Sequence, residues 1–244
     1  RTVMFGNEMS QRRIGLIGGL SWYSSADYYH RINHLVCQRL GAHHSADCVV
    51  LSLEEQRFLD ATVHDPISVE AAHMLCDAVR DLQKIGCEVI AFTANGVHRF
   101  VEIVEQQTGV RLLSIMDAVG QHLLAEDVRC AGLLGTGNTM QLPFYRERLA
   151  TQGVTAIVPD EAGIRQVDAL IMDELTLGIF RDETRDVVLN ICDTLKARGA
   201  QRIILGCTEL PMLLSDAQMQ QAGLLSSMEV HCQAIVAAAL QAHE

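Results

Sequence analysis

The chain has 244 residues, 49% of them hydrophobic, and its 30 acidic against 19 basic side chains leave a formal net charge of −11. That length buries a sizeable core, as one unit or as two small domains. The charge, with no Lys/Arg-rich run to offset it, argues against a protein that grips a nucleic-acid backbone, and no apolar stretch approaches the roughly 20 residues of a membrane-spanning helix.

In chain order, Arg1 to Arg13 lacks an apolar signal core and reads as a polar leader, so a cytoplasmic protein is expected. Apolar runs at 14–17, 48–53, 88–92, 112–115, 130–134, 155–158 and 202–205 are short enough to be strands. Between them, 26–40, 69–85, 164–177 and 184–197 carry apolar residues at three- and four-residue spacing, the period of a half-buried helix. Alternation of this kind predicts α/β layers on mainly parallel sheets.

The elements repeat. Gly15-Leu16-Ile17-Gly18-Gly19 is echoed by Gly132-Leu133-Leu134-Gly135-Thr136, and Tyr28 by Tyr145 at the same offset. The segments 89–96, ending Thr93-Ala94-Asn95-Gly96, and 203–210 line up as copies when Ala94 is set against Cys207, which puts 90–96 beside 203–209. The expectation is two pseudo-symmetric α/β domains with mainly parallel sheets and an active-site cleft between them, ligands lying at the carboxyl ends of the strands. The domains are placed at residues 10–115 with 222–244, and at 116–221.

Cofactor motifs are missing. The glycines at 15, 18 and 19 lack the full dinucleotide spacing, and no acidic residue follows where a ribose would need one. Lys84 and Lys196 are the only lysines, both in surface-like helical ends, so a Schiff-base cofactor has no obvious anchor. Of the eight cysteines, none forms a CxxC; Cys37, Cys48, Cys76, Cys87, Cys130, Cys192 and Cys232 read as small core hydrophobes. His43 and His44 are adjacent rather than at helical ligand spacing, which speaks for a loop rather than a metal site. No cofactor and no metal are expected.

Cys207 stands apart. It follows a strand directly and precedes Thr208, Glu209 and Pro211, which can open a helix, so backbone N–H groups and the helix dipole are expected to lower its pKa. Its counterpart Ala94 has a methyl group where a partner acid or base would serve. Around it, Asn95 can offer an amide and a backbone N–H to a carboxylate, while His98 lies where it can cap or pack.

At these residues the chain resembles the cofactor-independent aspartate/glutamate racemase superfamily. The likeness runs from Arg13 onward: Ile14-Gly15-Leu16-Ile17-Gly18-Gly19-Leu20-Ser21-Trp22, Asn95 with His98, Gly135 with Phe144-Tyr145, and above all Gly206-Cys207-Thr208-Glu209-Leu210. The resemblance implies two α/β domains, usually in a homodimer, and one acid/base from each half acting on opposite faces of a substrate α-carbon without pyridoxal phosphate or metal. On that basis Cys207 is an acid/base, Asn95 and Thr208 hold the carboxylate, Glu209 orients the loop, and Gly18, Ser21 and Gly96 line the cleft. The first catalytic position, Cys or Thr in the family's racemases, is Ala94 here, natural or engineered, with Thr93 the nearest substitute. The carboxylate-binding basic residue falls near Arg165 and Gln166, with Gln166 at the usual Lys position; Arg165 or Arg57 could supply the charge.

Three functions follow from the resemblance. The first is an amino-acid racemase of the aspartate/glutamate class acting on a small-molecule carboxylate or amino-acid substrate. The second is a one-cysteine enzyme, such as an arylmalonate-type decarboxylase or a diacid isomerase, that delivers a proton to one face of an enediolate. The third is an inactive protein that binds small acids.

Overall fold

The computed structural model describes residues 11–41 and 43–241. Their contacts divide into two units. One runs through Thr93 and includes Ile103–Leu113 and the chain from Cys232 on; the other comprises Ala94–Glu102 and Ser114–His231.

The first unit begins with β1 (Ile14–Gly18), α1 (Trp22–Leu40), β2 (Cys48–Ser52), α2 (Glu55–Thr62), α3 (Val69–Lys84) and β3 (Val89–Phe92). Its sheet has the order β2-β1-β3 and is parallel throughout, Gly15 lying beside Val49 on one side and Ile90 on the other. Parallel neighbours need crossover helices, and α3 shows why these residues form one. Ser68 accepts the Ala71 N–H as N-cap, and Ala71, Ala72, Leu75, Cys76, Val79 and Leu82 all fall on the buried face. Burying a leucine side chain of this kind contributes about 2 kcal/mol. Every residue of β1 and β3 is buried, whereas β2, at the sheet edge, stays partly exposed.

A 3₁₀ turn (Gly96–Phe100) belongs to the second unit, and α4 (Val101–Thr108) leads the chain back to the first. The second unit continues with α5 (Ile115–Ala125), β4 (Cys130–Leu134), α6 (Gly137–Gln141), α7 (Phe144–Thr151), β5 (Thr155–Ile157), α8 (Glu161–Asp173), α9 (Asp182–Ala197), β6 (Arg202–Leu205), α10 (Asp216–Gln221) and β7 (Leu224–Ser226); α11 (Ser227–Ala239) ends in the first unit. Its sheet, order β5-β4-β6-β7, is also parallel. Leu134, Ile164, Val167, Ile171, Val188, Leu195, Ile203 and Leu205 form a continuous core here.

The repeat has a topological counterpart. β1 and β4 each lie between the next strand in sequence on one side and the third on the other. Tyr28 and Tyr145, in the helices that follow them, are both fully buried. The protein is α/β with parallel sheets.

Two expectations differ from what is observed. Residues 112–115 form no strand: Leu113 donates one backbone bond to Ile90, but the Ser114 hydroxyl accepts the Met116 N–H and starts α5 at Ile115. A cap in the third position of a four-residue run leaves no room for a ladder. The division at residue 222 also differs, because β7 pairs with β6, Ile203 beside Leu224, which draws residues up to His231 into the second unit. Likewise Ala94–Glu102 pack with that unit although β3 belongs to the first. Among the described residues, no helix is long and apolar enough to cross a membrane.

Candidate active site

The glycine turn after β1 is built by close approach. Gly19 has φ +88°, the left-handed region that favours glycine, and a Cβ there would collide with the Leu53 carbonyl. A Cβ on Gly18 would strike the Ser25 hydroxyl. The Ser25 hydroxyl accepts the Gly19 N–H at 2.9 Å, donates to the Ser21 carbonyl at 3.0 Å, and lies 2.9 Å from the Thr93 hydroxyl. With the single proton of Ser25 directed at Ser21, Thr93 is the donor of the pair. Thr93 is buried and its hydroxyl is engaged in holding this turn.

The second unit holds the thiol. At the end of β6, Gly206 donates its N–H to the Leu134 carbonyl at 2.6 Å, and a Cβ on Gly206 would lie 3.0 Å from that oxygen. Glycine therefore allows β4 and β6 to approach at the point where the chain turns into Cys207. The Cys207 thiol is buried and donates to Glu209 Oε2 at 2.9 Å, while the Thr208 hydroxyl donates to the same oxygen at 2.7 Å.

The thiol's acidity is opposite to the sequence expectation. Burial, then the charge of Glu209 and its hydrogen bond, hold the Cys207 pKa well above the ordinary thiol value. The N–H groups of Glu209 and Leu210 do reach the sulfur and act in the lowering direction, but they are outweighed. The helix that was to supply a dipole is only a four-residue 3₁₀ turn, Leu210–Leu213, with Pro211 in its first turn. Resting Cys207 is thus a protonated thiol facing a carboxylate.

The Ala94–Asn95–Gly96 turn is held by polar side chains. His98 is 2% exposed, with Nδ1 2.8 Å from the Ala94 carbonyl and Nε2 accepting the Ile115 N–H at 3.1 Å. A ring that accepts at Nε2 carries its proton on Nδ1, so His98 donates to Ala94 and is neutral. Burial pushes its pKa down to about 4. The ring of His231 packs edge-on against it at 5.5 Å. The Ser227 hydroxyl lies 3.2 Å from Asn95 Oδ1 and 2.8 Å from the Leu205 carbonyl. This bridge ties the Asn95 turn to the strand end that leads into Cys207.

Other candidates fall elsewhere. Arg165 and Gln166 are exposed on α8, and Arg165 pairs with Glu161 at 3.7 Å on its own helix. Arg57 is exposed on α2 in the first unit, beside a groove lined by Leu51, Leu53, Val69 and His73. The cation beside the Asn95–Gly96 turn is Arg99, which sequence reasoning missed. Its Nη1 donates to the Gly96 carbonyl at 2.6 Å, its guanidinium lies over the Phe100 ring at 4.8 Å, and burial lowers its pKa to about 10. Ser227 was missed as well; a serine opening a C-terminal helix reads as an ordinary cap. Among the described residues, no group of three His, Cys, Asp or Glu side chains could hold a metal ion. All eight cysteines are free.

Known proteins share this arrangement of chain. A crystal structure of a candidate Asp/Glu racemase from Yersinia pestis superposes with TM-score 0.87 at 34% identity, covering 94% of this chain and 100% of that one. An aspartate racemase homologue from Pyrococcus horikoshii OT3 superposes with TM-score 0.83 at 26% identity and the same coverage. The broad specificity amino-acid racemase RacX of Bacillus subtilis is 24% identical over 218 residues, 85% of this chain and 89% of that protein. The Asp/Glu/hydantoin racemase family profile matches residues 17–235. Its span takes in the glycine turn, the Asn95 turn and the Cys207 loop together, and the chain belongs to the Asp/Glu/hydantoin racemase family, whose racemases are isomerases.

Proposed function

We propose that this chain acts on the proton of a carbon next to a carboxylate, with an acidic amino acid as first-choice substrate and Cys207 as its acid/base. The observation that carries the reading is the contact of the Cys207 thiol with Glu209, at the end of a strand that the Ser227 bridge ties to the Asn95 turn. A thiol held protonated beside a carboxylate can do two jobs. Glu209 accepts the S–H proton and the thiolate removes the α-proton, leaving an enediolate; reversal returns a proton to the same face. The N–H groups of Glu209 and Leu210 at the sulfur stabilise the transient thiolate. Asn95, Gly96 and Thr208 contact the substrate, and Arg99, rather than Arg165, Gln166 or Arg57, sets positive charge beside it. In this reading neither pyridoxal phosphate nor a metal takes part, and the working form is a cytoplasmic homodimer.

Inversion needs a second acid/base, and Ala94 cannot provide it. Thr93 does not replace it, since its buried hydroxyl is held by Ser25. That observation favours, as a second reading, a one-cysteine enzyme that protonates a single face, as an arylmalonate-type decarboxylase does. Proton NMR of L- and D-aspartate and L- and D-glutamate in D₂O separates the two. Expected for the acid/base reading is α-deuterium uptake by one enantiomer, lost in Cys207→Ala, with Ala94→Cys or Ala94→Thr adding inversion at a rate on the order of 10² or more above the parent. If neither the parent nor Ala94→Cys exchanges any of the four, the amino-acid reading fails, and decarboxylation of aryl malonates to a single enantiomer is the outcome that would establish the second. Binding of these acids with no deuterium entering in any variant would instead mark a small-acid-binding protein.

A further inference from the structure

Helix α1 buries Tyr28, Ile32 and Val36 along one side, and off that stripe it carries His30 and His34, both exposed. Residues four apart on a helix are neighbours on its surface. The two imidazoles stand parallel, with 4° between their planes and 6.4 Å between their centroids. They are the only histidines in the sequence at this spacing, the one that lets two ring nitrogens meet a single ion. One turn further on, the Gln38 amide nitrogen lies 2.9 Å from His34 Nε2. An N–H₂ group only donates, so Nε2 is an acceptor with its lone pair free of a proton, the state a metal ligand needs. Arg31, between the pair in sequence, is matched with Asp27 at 3.1 Å, so its charge is answered within the helix.

We propose that His30 and His34 form a two-ligand site for a divalent transition-metal ion, copper(II) most tightly and nickel(II) or zinc(II) after it, with water completing the coordination sphere. Imidazole nitrogen suits these ions, whereas magnesium and calcium take oxygen donors. On binding, the ion replaces the Gln38 amide hydrogen at Nε2. Two protein ligands and water make an open site, unlike the centre of three or more side chains that the described residues do not form. The chain's net charge of −11 favours cations at its surface. The ion takes no part in the proposed reaction, and its effect is mechanical. Ser21, the N-cap of α1, makes no side-chain bond to the first turn. An ion that joins His30 to His34 ties successive turns of this helix from outside, and the same helix carries the Ser25 hydroxyl that accepts the Gly19 N–H.

Nickel(II) is the probe for a chain whose eight cysteines are free, because it does not oxidise thiols. Calorimetric titration of the full chain with nickel(II) at neutral pH should show a single equivalent bound. His30→Ala and His34→Ala should each weaken binding by roughly 10-fold or more, since either leaves one imidazole where two acted together. His43→Ala combined with His44→Ala should leave the affinity unchanged, the adjacent pair lacking the helical spacing. In proton NMR, substoichiometric nickel(II) should broaden the imidazole signals of His30 and His34 ahead of those of the other histidines. Each protein is also melted with and without saturating nickel(II), so that a variant is compared with its own metal-free curve. The parent's melting temperature should rise by a few degrees with the ion, and the rise should vanish in both single-histidine variants. An affinity that survives both His30→Ala and His34→Ala, or broadening that begins at other histidines, would overturn the site. Nickel(II) bound at this pair with no rise in melting temperature would overturn the stapling of α1.

Discussion

In the proposed reaction Glu209 acts on the Cys207 thiol through two opposed effects. Its carboxylate raises the pKa of the Cys207 thiol by charge and by hydrogen bond, and in the proposed reaction the same carboxylate receives the thiol's proton. Glu209→Gln keeps the shape and removes the charge. The thiol pKa should fall, so iodoacetamide at neutral pH should label Cys207 faster than in the parent, while α-proton exchange slows by on the order of 10² to 10⁴. Slower labelling in the variant would mean that Glu209 activates the thiol in the resting state. His98 makes a second prediction. Its folded pKa, about 4, lies below the ordinary value of 6.5, so between those limits the unfolded chain binds the extra proton. Stability from this residue is complete above pH 6.5 and is lost as pH falls toward 4, by roughly 3 kcal/mol in all. Denaturant midpoints measured from pH 7 to pH 4 should therefore fall more steeply for the parent than for His98→Gln, and equal slopes would show that the ring is charged in the native state.

At the scale of elements, the turns after β1 and β6 are strand ends that turn at glycine. After β1 the turn depends on Gly19 in the left-handed region against the Leu53 carbonyl, and on Ser25, one turn into α1, which bonds the Gly19 N–H. Gly19→Ala combines backbone strain with a steric collision that no flexible side chain can relieve, since the atoms it meets include backbone of residue 53. A loss of about 3 kcal/mol or more is expected in urea unfolding. Gly41, by contrast, has φ +107° but open space around its Cβ position, so Gly41→Ala should cost only the strain. Similar costs at the two positions would refute the role assigned to Leu53. Much of this scale was legible in advance. Helix 69–84 shows its apolar stripe plainly, and the glycine pairs mark both turns. The 3₁₀ turn after Cys207 was not legible, because Pro211 opens an α-helix and a short 3₁₀ turn equally well.

For the molecule as a whole, neither unit is a continuous piece of chain. The path changes unit after Thr93, Glu102, Leu113 and His231. A fragment ending at Leu113 would lack the residues from Cys232 on that pack into the first unit, including the Ala239 carbonyl that accepts the Arg12 N–H. Expressed alone it should show no cooperative unfolding, and a sigmoidal urea transition from that fragment would contradict the division.

Period and local chemistry are properties of neighbours in sequence, and they determined what the sequence could say alone. Strands at 14–17, 130–134 and 202–205, the helices between them, the repeat relating Gly15 to Gly132, and the Gly206-Cys207-Thr208-Glu209 loop were all readable there. What only the tertiary structure decided depends on partners far apart in the chain. The state of Cys207 reflects burial and the side-chain position of Glu209, not the motif they share. Thr93 is engaged with Ser25, 68 residues away, and Asn95 with Ser227, 132 residues away. Arg165 was a candidate by alignment and stands exposed, while Arg99 took the place beside Gly96. A hydrogen bond between distant residues leaves no periodic trace in a sequence, so the proton positions that decide the chemistry emerged only when the chain was folded.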